Sequence, residues 1–367
     1  MARNVKPSNA KTLLAVEGTS LSGLRSGVGR YTFELLSALK TNEIGVEIYT
    51  LAPEINDIIQ LTSRVHYFGR RLQQLIWTLS DFLKLFRVEW LLRDKPNFIL
   101  YPNFKYLRSK TPSLTIIHDI SYTKGENWSN KGFQGRVTRW GKISTSSHTK
   151  IATVSKSMAS EISNYYNYPL EEILILSPGI ASNMIESGRE IKDTTRKGFL
   201  VVGTFEKRKN VSIIVKAYNQ LTAEQQRNNP LVIVGRVGND FENINKLTQG
   251  NSNITLITNI SDQDLIKKYS ESAFLISASN YEGYGMQVAE SMFFGLGLLL
   301  SDIPAHREVS AGFARFFPAD NETLLLGILS DVTSYPQEYI TKAKALANNY
   351  TWNSTADKLM DYILNNS

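Results

Sequence analysis

The sequence has 367 residues but no cysteine and only four histidines. The lack of cysteine excludes disulfides and thiolate metal ligands, and the scattered histidines, His66, His118, His148 and His306, do not indicate a structural zinc site. No apolar run approaches the roughly 18 residues of a membrane-spanning helix, and the first residues, MARNVKPSNAK, lack the apolar core of a signal peptide. These absences predict a cytoplasmic protein that holds no metal.

Acidic residues are few between Arg64 and Lys150, where sixteen Lys or Arg stand against five Asp or Glu. Within this basic part, residues 68–95 mix Lys and Arg with Leu, Ile, Phe and Trp, and a basic amphipathic helix of this kind can lie on an anionic membrane surface. We expect peripheral contact with the inner face of the cell membrane through 68–95. The alternatives are ordinary solvated charge and packing against the first sheet.

Short apolar segments separated by longer helical stretches predict an α/β fold. The apolar segments are interpreted as parallel strands, because strands that are covered on both faces are apolar throughout. They are residues 12–18, 46–52, 97–103, 113–119, 150–155, 198–204, 231–236, 254–258, 273–279 and 296–302. The chain is too long for one hydrophobic core, so we predict two Rossmann-like domains with one sheet each.

The polar composition of residues 182–197 is typical of a linker between the two predicted Rossmann-like domains. We therefore predict a first domain at 1–182 and a second at 183–350. The remaining residues, 351–367, have Trp352, Leu359, Met360 and Ile363 as their apolar residues, which predicts an amphipathic helix that needs a surface to dock on.

Two loops that follow predicted strands could bind an anion. GTSLSGLRSGVGRY contains Gly27, Val28 and Gly29 before a helical run, and glycine-rich backbone with a helix N-terminus can hold a phosphate. GTFEKRKN contains Arg208 and Lys209, which could neutralise a diphosphate without a metal ion. The alternatives are a structural connection for the first loop and a solvated basic turn for the second.

The segment YEGYGMQVAE, residues 281–290, combines two glutamates with two glycines after a predicted strand. Gly283 and Gly285 allow tight backbone turns beside a ligand, and the amides that begin the next helix can bind phosphate or sugar hydroxyls. Glu282 and Glu290 can accept hydrogen bonds from the vicinal hydroxyls of a hexose and a ribose. The alternative is a pair of surface glutamates.

EGYGMQVAE is similar to the E-x7-E signature of the retaining glycosyltransferases of family 4. In that family the first Glu contacts the donor hexose and the second binds the nucleotide ribose, which implies these roles for Glu282 and Glu290. The Arg-Lys pair of GTFEKRKN resembles the family's pyrophosphate clamp. IIHDISY resembles the segment whose His, here His118, lies over the transferred sugar, and GVGRY resembles the loop that lines the donor phosphate or acceptor cleft.

The resemblance implies a GT-B fold, in which two Rossmann-like domains face a central cleft and the C-terminal helix crosses back to the first domain. The first domain would bind the acceptor and the second the nucleotide sugar. Further donor contacts implied by the resemblance are Thr204, Gly283, Tyr284, Gly285 and Met286. Many family members carry Gly-Arg where this chain has Gly203-Thr204, so one phosphate contact is missing or has moved to Arg208.

The function implied by the resemblance is retaining transfer of a hexose, with mannose from GDP-mannose favoured. The acceptor would be a saccharide or a lipid-linked saccharide in bacterial surface polysaccharide synthesis. The GDP-, UDP- or dTDP-linked donor is a substrate, and neither a cofactor nor a metal is expected. Alternatives are a non-catalytic GT-B subunit that binds sugar nucleotide or lipid, and a GT-B epimerase or phosphorylase. Nucleic-acid binding is not expected, because no such module is recognisable.

Two further polar signals are interpreted as structural. Asp262 and Asp264 have the D-x-D spacing of a metal site, but they follow Ser261 and therefore predict the start of a helix. His306, in DIPAHRE, is predicted to be a surface residue of a loop and is given no catalytic role.

Overall fold

The computed structural model describes residues 12–21, 27–39, 44–50, 62, 65–67, 87–90, 92, 94–104, 109–124, 128, 131–145, 149–190 and 196–367. Most of residues 68–95, where we expect membrane contact, lie outside these ranges. None of the helices within the described ranges is long and apolar enough to span a bilayer.

The chain divides into two compact units. The first comprises Met1–Ile120, Lys131–Gly179 and Trp352–Ser367. The second comprises Ser121–Asn130 and Ile180–Thr351. A short segment from the first half of the sequence, Ser121–Asn130, thus belongs to the second unit.

A seven-stranded parallel sheet forms the centre of the first unit. Its strands are β1 (Thr12–Glu17), β2 (Ile44–Thr50), β3 (Val65–Tyr67), β4 (Phe98–Tyr101), β5 (Ser113–Ile117), β6 (Thr149–Thr153) and β7 (Ile173–Ile175). They are ordered β3-β2-β1-β4-β5-β6-β7 across the sheet. Among the described residues of this unit, the helices are α1 (Gly27–Ala38), α2 (Lys131–Thr145) and α3 (Lys156–Tyr166), with 3-10 helices at Thr19–Leu21, Val88–Trp90 and Leu170–Glu172. Strands β4 and β5 are buried at every position, as strands covered on both faces are.

A six-stranded parallel sheet forms the centre of the second unit. Its strands are β8 (Phe199–Val202), β9 (Leu231–Gly235), β10 (Ile254–Thr258), β11 (Phe274–Ser277), β12 (Gly297–Ser301) and β13 (Arg315–Phe317), in the order β10-β9-β8-β11-β12-β13. The helices are α4 (Ser182–Glu190), α5 (Val211–Asn219), α6 (Ala223–Asn228), α7 (Phe241–Thr248), α8 (Asp262–Glu271), α9 (Met286–Phe294), α10 (Pro304–Ser310), α11 (Glu322–Ser330) and α12 (Gln337–Ala347). Three 3-10 helices lie at Ser121–Thr123, Lys207–Lys209 and Val332–Ser334.

The C-terminal helix α13 (Trp352–Asn366) packs against α1 of the first unit. Its buried face includes Trp352, Leu359 and Ile363, as their apolar character predicts. The ring of Trp352 meets the ring of Tyr31 edge-on, with the centroids 5.0 Å apart. The chain therefore returns to its first unit at its C-terminus, which confirms the helix expected from the resemblance.

All strands expected from the sequence are present in the structure. Three further strands, β3, β7 and β13, were not predicted, and each has only three residues and lies at the edge of its sheet. An edge strand pairs on one side only, so a short edge strand needs no long apolar run. β3 and β13 lack a continuous apolar segment, whereas β7 lies in the apolar run 173–176, which is only four residues long and was not interpreted as a strand.

Two predictions about local structure have different outcomes. Residues 182–197 were interpreted as a linker, but the first part forms helix α4, with Met184 fully buried. The polar composition arises because one face of this helix is exposed, with Ser182, Asn183 and Glu186 in contact with solvent. The D-x-D segment begins helix α8 as predicted, since the hydroxyl of Ser261 accepts a hydrogen bond from the amide of Asp264 over 3.1 Å.

Gly198, just before β8, has a left-handed φ of 70°, and a methyl group there would lie 2.1 Å from the carbonyl oxygen of Pro230. Gly250 has a similar φ of 81° but open space around it. We expect Gly250→Ala to cost only the left-handed strain, about 1–2 kcal/mol. Gly198→Ala should also carry the steric clash, which adds about 1–3 kcal/mol. Urea denaturation would measure both, and equal losses of stability would contradict the close approach.

Candidate active site

The loops that carry the predicted donor residues leave neighbouring strands of the second sheet. Strands β8, β11 and β12 are adjacent and parallel, so their carboxyl ends open at one edge. The order of the strands reverses at β8, because β9 and β10 lie on one side of it and β11 to β13 on the other. Ligands of open α/β sheets bind at such a switch point. Arg208 and Lys209 follow β8, and Glu282 follows β11.

Glu282 lies at the centre of an ion-pair cluster and is only 8% exposed. The guanidinium of Arg208 donates from Nη1 to Oε2 of Glu282 over 3.0 Å. The ammonium of Lys209 pairs with Oε1, and the hydroxyl of Ser279 donates to the same oxygen over 2.8 Å. The structure thus brings together three residues that the sequence predicted separately.

Two opposing effects act on the acidity of Glu282. Burial alone would raise the pKa of the carboxyl group, but Lys209 and Arg208 together outweigh burial and hold the pKa of Glu282 well below its usual range. The carboxylate is therefore ionised at neutral pH, and it accepts hydrogen bonds but cannot donate them.

Arg208 is held in place by more than Glu282. Its Nη1 also donates to the carbonyl oxygen of Tyr281 over 2.8 Å, and its Nη2 lies 3.2 Å from Oε2 of Glu206. The planar guanidinium thus bridges the loop after β8 and the loop after β11. A guanidinium with this many fixed contacts loses little conformational freedom when it binds an anion.

Gly203 and Thr204 form the start of the loop after β8. A methyl group on Gly203 would lie 3.6 Å from Cε of Lys209, and one on Gly235 would lie 1.9 Å from the carbonyl oxygen of Gly203. Strands β8 and β9 therefore approach each other too closely at this end for a side chain at Gly235. A methyl group on Gly238 would lie 3.1 Å from Cγ2 of Thr204.

Gly283, Tyr284, Gly285 and Met286 form the turn from β11 into helix α9. Gly285 caps this helix with a left-handed φ of 102°, a conformation that favours glycine. Tyr284 is buried, and burial raises the pKa of its hydroxyl, which stays protonated. Met286 begins the helix, and the first amides of a helix have no partner within it.

Glu290 lies on α9, and it is 7% exposed. Its Oε2 accepts a hydrogen bond from the hydroxyl of Tyr269 over 2.6 Å. The alternative that Glu282 and Glu290 are a pair of surface glutamates is therefore wrong, since both are buried and both have specific partners.

The remaining predicted residues lie in the first unit. Gly27, Val28 and Gly29 form the first turn of α1. His118 follows β5, and its Nε2 donates to the carbonyl oxygen of Pro102 over 2.7 Å. Its ring meets the ring of Tyr31 of α1 edge-on at 4.7 Å. The structure therefore places His118 in contact with α1, a contact that the sequence alone did not predict.

Burial lowers the pKa of His118 despite its hydrogen bond to Pro102 and the nearby charge of Asp119. The imidazole is therefore neutral at pH 7, with the proton on Nε2. A neutral ring can contact a sugar without placing a full positive charge beside a developing cation.

The prediction for His306 is wrong. This residue lies on helix α10 and is fully buried, not on the surface of a loop. Its Nδ1 donates to the carbonyl oxygen of Ser301 over 2.9 Å, and its Nε2 lies 3.3 Å from the hydroxyl of Ser277. Burial lowers the pKa of His306. Pro304 could have indicated that His306 lies on a helix, because proline is common at the first position of a helix.

Three polar residues that the sequence reasoning missed connect His306 to Glu282. The hydroxyl of Ser277 lies 3.4 Å from that of Ser279, which donates to Glu282. The amide of Gln287 lies 3.5 Å from both Ser277 Oγ and Glu282 Oε1. The sequence could have indicated this network, because serines at the end of a buried apolar strand need polar partners.

Within the described ranges, no group of three or more His, Asp or Glu side chains is arranged to hold a metal ion. The prediction that the reaction needs no metal is not tested by this observation.

Two family models match the sequence, one for each half. The model described as Glycosyltransferase Family 4 matches residues 25–183. The model described as Glycosyl transferases group 1 matches residues 185–322, which contain Arg208, Lys209, Glu282 and Glu290. Together they cover most of the chain.

Relatives and solved structures agree with these matches. The O-antigen chain mannosyltransferase B of Escherichia coli is 28% identical over 92% of this chain and 96% of the relative. The serotype-specific mannosyltransferase WbdA of Escherichia coli is 25% identical, over 67% of this chain but only 32% of its own length. The structure of WaaG, a glycosyltransferase of lipopolysaccharide biosynthesis, is 16% identical with a TM-score of 0.70, covering 96% of this chain and 99% of WaaG.

The structure of HepE from Anabaena in complex with UDP and glucose is 12% identical, with a TM-score of 0.71, and covers 96% of this chain and 100% of HepE. Two Rossmann-like units with parallel sheets, matched over 96% of the chain by such structures, show the GT-B fold, and the two family models show a glycosyltransferase. Within that class the chain belongs to glycosyltransferase family 4, which confirms the resemblance seen in EGYGMQVAE.

The ion-pair cluster predicts a large effect of removing the charge of Glu282. Glu282→Gln leaves Arg208 and Lys209, whose side chains are 15% and 14% exposed, without their buried counter-charge. We expect a loss of about 3–5 kcal/mol in the free energy of unfolding at pH 7. Glu206→Gln removes a more exposed partner of Arg208 and should cost about 1 kcal/mol or less.

The same substitution has a defined pH dependence. The lowered pKa of Glu282 means that its contribution to stability is complete above the ordinary carboxyl pKa of about 4.3 and is lost as the pH falls toward the folded-state pKa. The stability difference between wild type and Glu282→Gln should therefore stay constant from pH 7 to about pH 5 and shrink in stronger acid. Urea denaturation at several pH values measures this, and a difference that shrinks near pH 6 would contradict it.

Proposed function

We propose that this glycosyltransferase transfers a hexose from a nucleotide-sugar donor to a saccharide or lipid-linked saccharide acceptor, with retention of anomeric configuration, in surface polysaccharide synthesis. The observation that carries the proposal is the cluster of Glu282 with Arg208 and Lys209 at the switch point of the second sheet. It places two cations and an acceptor of hydroxyl hydrogen bonds at one position, and a sugar diphosphate needs both.

Mannose, with GDP-mannose as donor, is the favoured hexose. Two relatives in Escherichia coli are mannosyltransferases, and one of them is an O-antigen chain mannosyltransferase that aligns over nearly the whole chain. HepE of Anabaena has been solved with UDP-glucose, so UDP- and dTDP-linked donors are the alternatives to test.

The cluster suits the leaving group of this reaction. The bond between the anomeric carbon and the diphosphate oxygen breaks, and Arg208 and Lys209 stabilise the negative charge that develops on the diphosphate. Fixed cations of this kind often supply the largest part of catalysis. The acceptor oxygen bonds to the anomeric carbon on the same face, and its proton passes to the departing diphosphate. No metal ion is part of the proposed mechanism.

The other residues bind the donor and acceptor. Glu282 accepts hydrogen bonds from hexose hydroxyls, and Glu290 accepts them from the ribose. Gly283, Tyr284, Gly285 and Met286 contribute backbone contacts at the start of α9, and Thr204 contacts the phosphate side. The first unit's candidate contacts to the sugar and its phosphate are His118, after β5, and Gly27, Val28 and Gly29, at the start of α1.

Removing either cation should abolish most of the transfer. Arg208→Ala and Lys209→Ala should each lower kcat about 100-fold or more in an assay of mannose transfer from GDP-mannose. Lys342→Ala removes an exposed cation of α12 that pairs with Glu338, and it serves as the control with near wild-type rates. Undiminished transfer by both Arg208→Ala and Lys209→Ala would exclude the proposed roles.

The donor and the stereochemistry can be determined independently. In a thermal-shift screen of GDP-, UDP-, dTDP- and ADP-sugars, GDP-mannose should raise the unfolding temperature of the protein most, because a ligand that binds only the folded state stabilises it.

NMR of the product should show the same anomeric configuration as the donor. The rate of transfer should be equal in the presence and absence of EDTA. An inverted product, or loss of activity in EDTA, would overturn the retaining, metal-independent mechanism.

A further inference from the structure

Tyr269 is a buried residue of helix α8 that neither the motifs nor the proposed mechanism includes. It is 0% exposed, and its hydroxyl donates to Oε2 of Glu290 over 2.6 Å. Its ring stacks on that of Phe294, with the centroids 5.4 Å apart and the planes 4° from parallel. One side chain therefore makes two specific contacts with helix α9.

The two contacts fix the side chain of Tyr269 relative to α9. Glu290 and Phe294 are four positions apart on this helix, so their side chains lie on the same face. Phe294 holds the ring of Tyr269, and the ring then presents its hydroxyl at a defined position beside Glu290. At 2.6 Å, the hydrogen bond from Tyr269 lies at the short end of the range for O–H···O bonds. The Glu290 carboxylate is thereby held in one orientation.

A carboxylate has about four acceptor positions, and the bond from Tyr269 uses one of them. We propose that Tyr269 is a positioning residue that orients Glu290 toward both hydroxyls of a donor ribose. The pair thereby selects ribonucleotide donors, such as GDP- or UDP-sugars, over 2′-deoxyribonucleotide donors, which include the dTDP-linked alternative. This inference rests on the proposed function, in which Glu290 binds the ribose.

The selectivity follows from the cost of an unmatched buried acceptor. A site built to hydrogen-bond a hydroxyl rejects an analogue that lacks it, because the buried polar group is left without its partner. A carboxylate free to turn could instead adapt to the single remaining hydroxyl of a 2′-deoxyribose. Fixing Glu290 by Tyr269 removes that adaptation.

The test uses isothermal titration calorimetry with GDP, UDP and their 2′-deoxy counterparts. The wild type should bind its preferred ribonucleotide about tenfold more tightly than the 2′-deoxy analogue. Tyr269→Phe keeps the ring stack on Phe294 but removes the hydroxyl, so the ratio should fall to about threefold or less. Tyr218→Phe is the matched control, because Tyr218 is equally buried and its hydroxyl donates to a backbone carbonyl, that of Asn229.

A second variant tests whether Tyr269 acts through Glu290. Glu290→Gln should lower the ribose preference as Tyr269→Phe does, and the double variant should show little further loss, since residues of one contact are not additive. Thermal melts establish whether each variant is folded. If Tyr269→Phe is not folded, Glu290→Gln by itself tests whether Glu290 determines the ribose preference.

The outcomes distinguish the positioning role of Tyr269 from the proposed function. An unchanged ratio in folded Tyr269→Phe, or fully additive losses in the double variant, overturns the positioning role while the proposed function stands. Equal binding of ribo- and 2′-deoxyribonucleotides by the wild type overturns the ribose selectivity. Binding of none of GDP, UDP and dTDP by the wild type overturns the proposed function itself.

Discussion

The carboxylate of Glu282 is buried, and a buried anion is tolerated only when cations and hydrogen-bond donors surround it. Arg208 and Lys209 supply the charge, and Ser279 supplies a further hydrogen bond. These partners come from the loops after two different strands, so the ion pairs tie the two loops together. The cations proposed to hold the diphosphate are thereby fixed before a donor binds, which reduces the reorganisation that binding and catalysis require.

That cluster depends in turn on how the second sheet is assembled. Arg208 and Glu282 are 74 positions apart in the sequence, and they meet because β8 and β11 are adjacent in the sheet. Glycines allow the backbone to approach closely at this edge, where Gly235 faces the carbonyl of Gly203. The left-handed conformation of Gly285 then directs the chain from the loop into α9, which carries Glu290.

Much of the fold could be predicted from the sequence, because buried parallel strands are continuous apolar runs. The edge strands β3 and β13 were missed because they lack such runs, and β7 was missed because its run, 173–176, is only four residues long. The candidate site was predicted in part, since Glu282, Arg208 and Lys209 stand in recognisable motifs. His306 and Tyr269 stand in none, and their importance comes from burial and from partners 29 and 21 positions away.

The sequence by itself determined the α/β class, the presence of two sheets and the identity of the charged residues of the proposed donor site. Periodicity and spacing are local properties, and a local property can be recognised in a single chain. Only the tertiary structure decided that Arg208 and Lys209 share Glu282, that Tyr269 holds Glu290, and that His306 is buried. Each of these depends on which strands and helices become neighbours, and that choice is made by the packing of the whole unit.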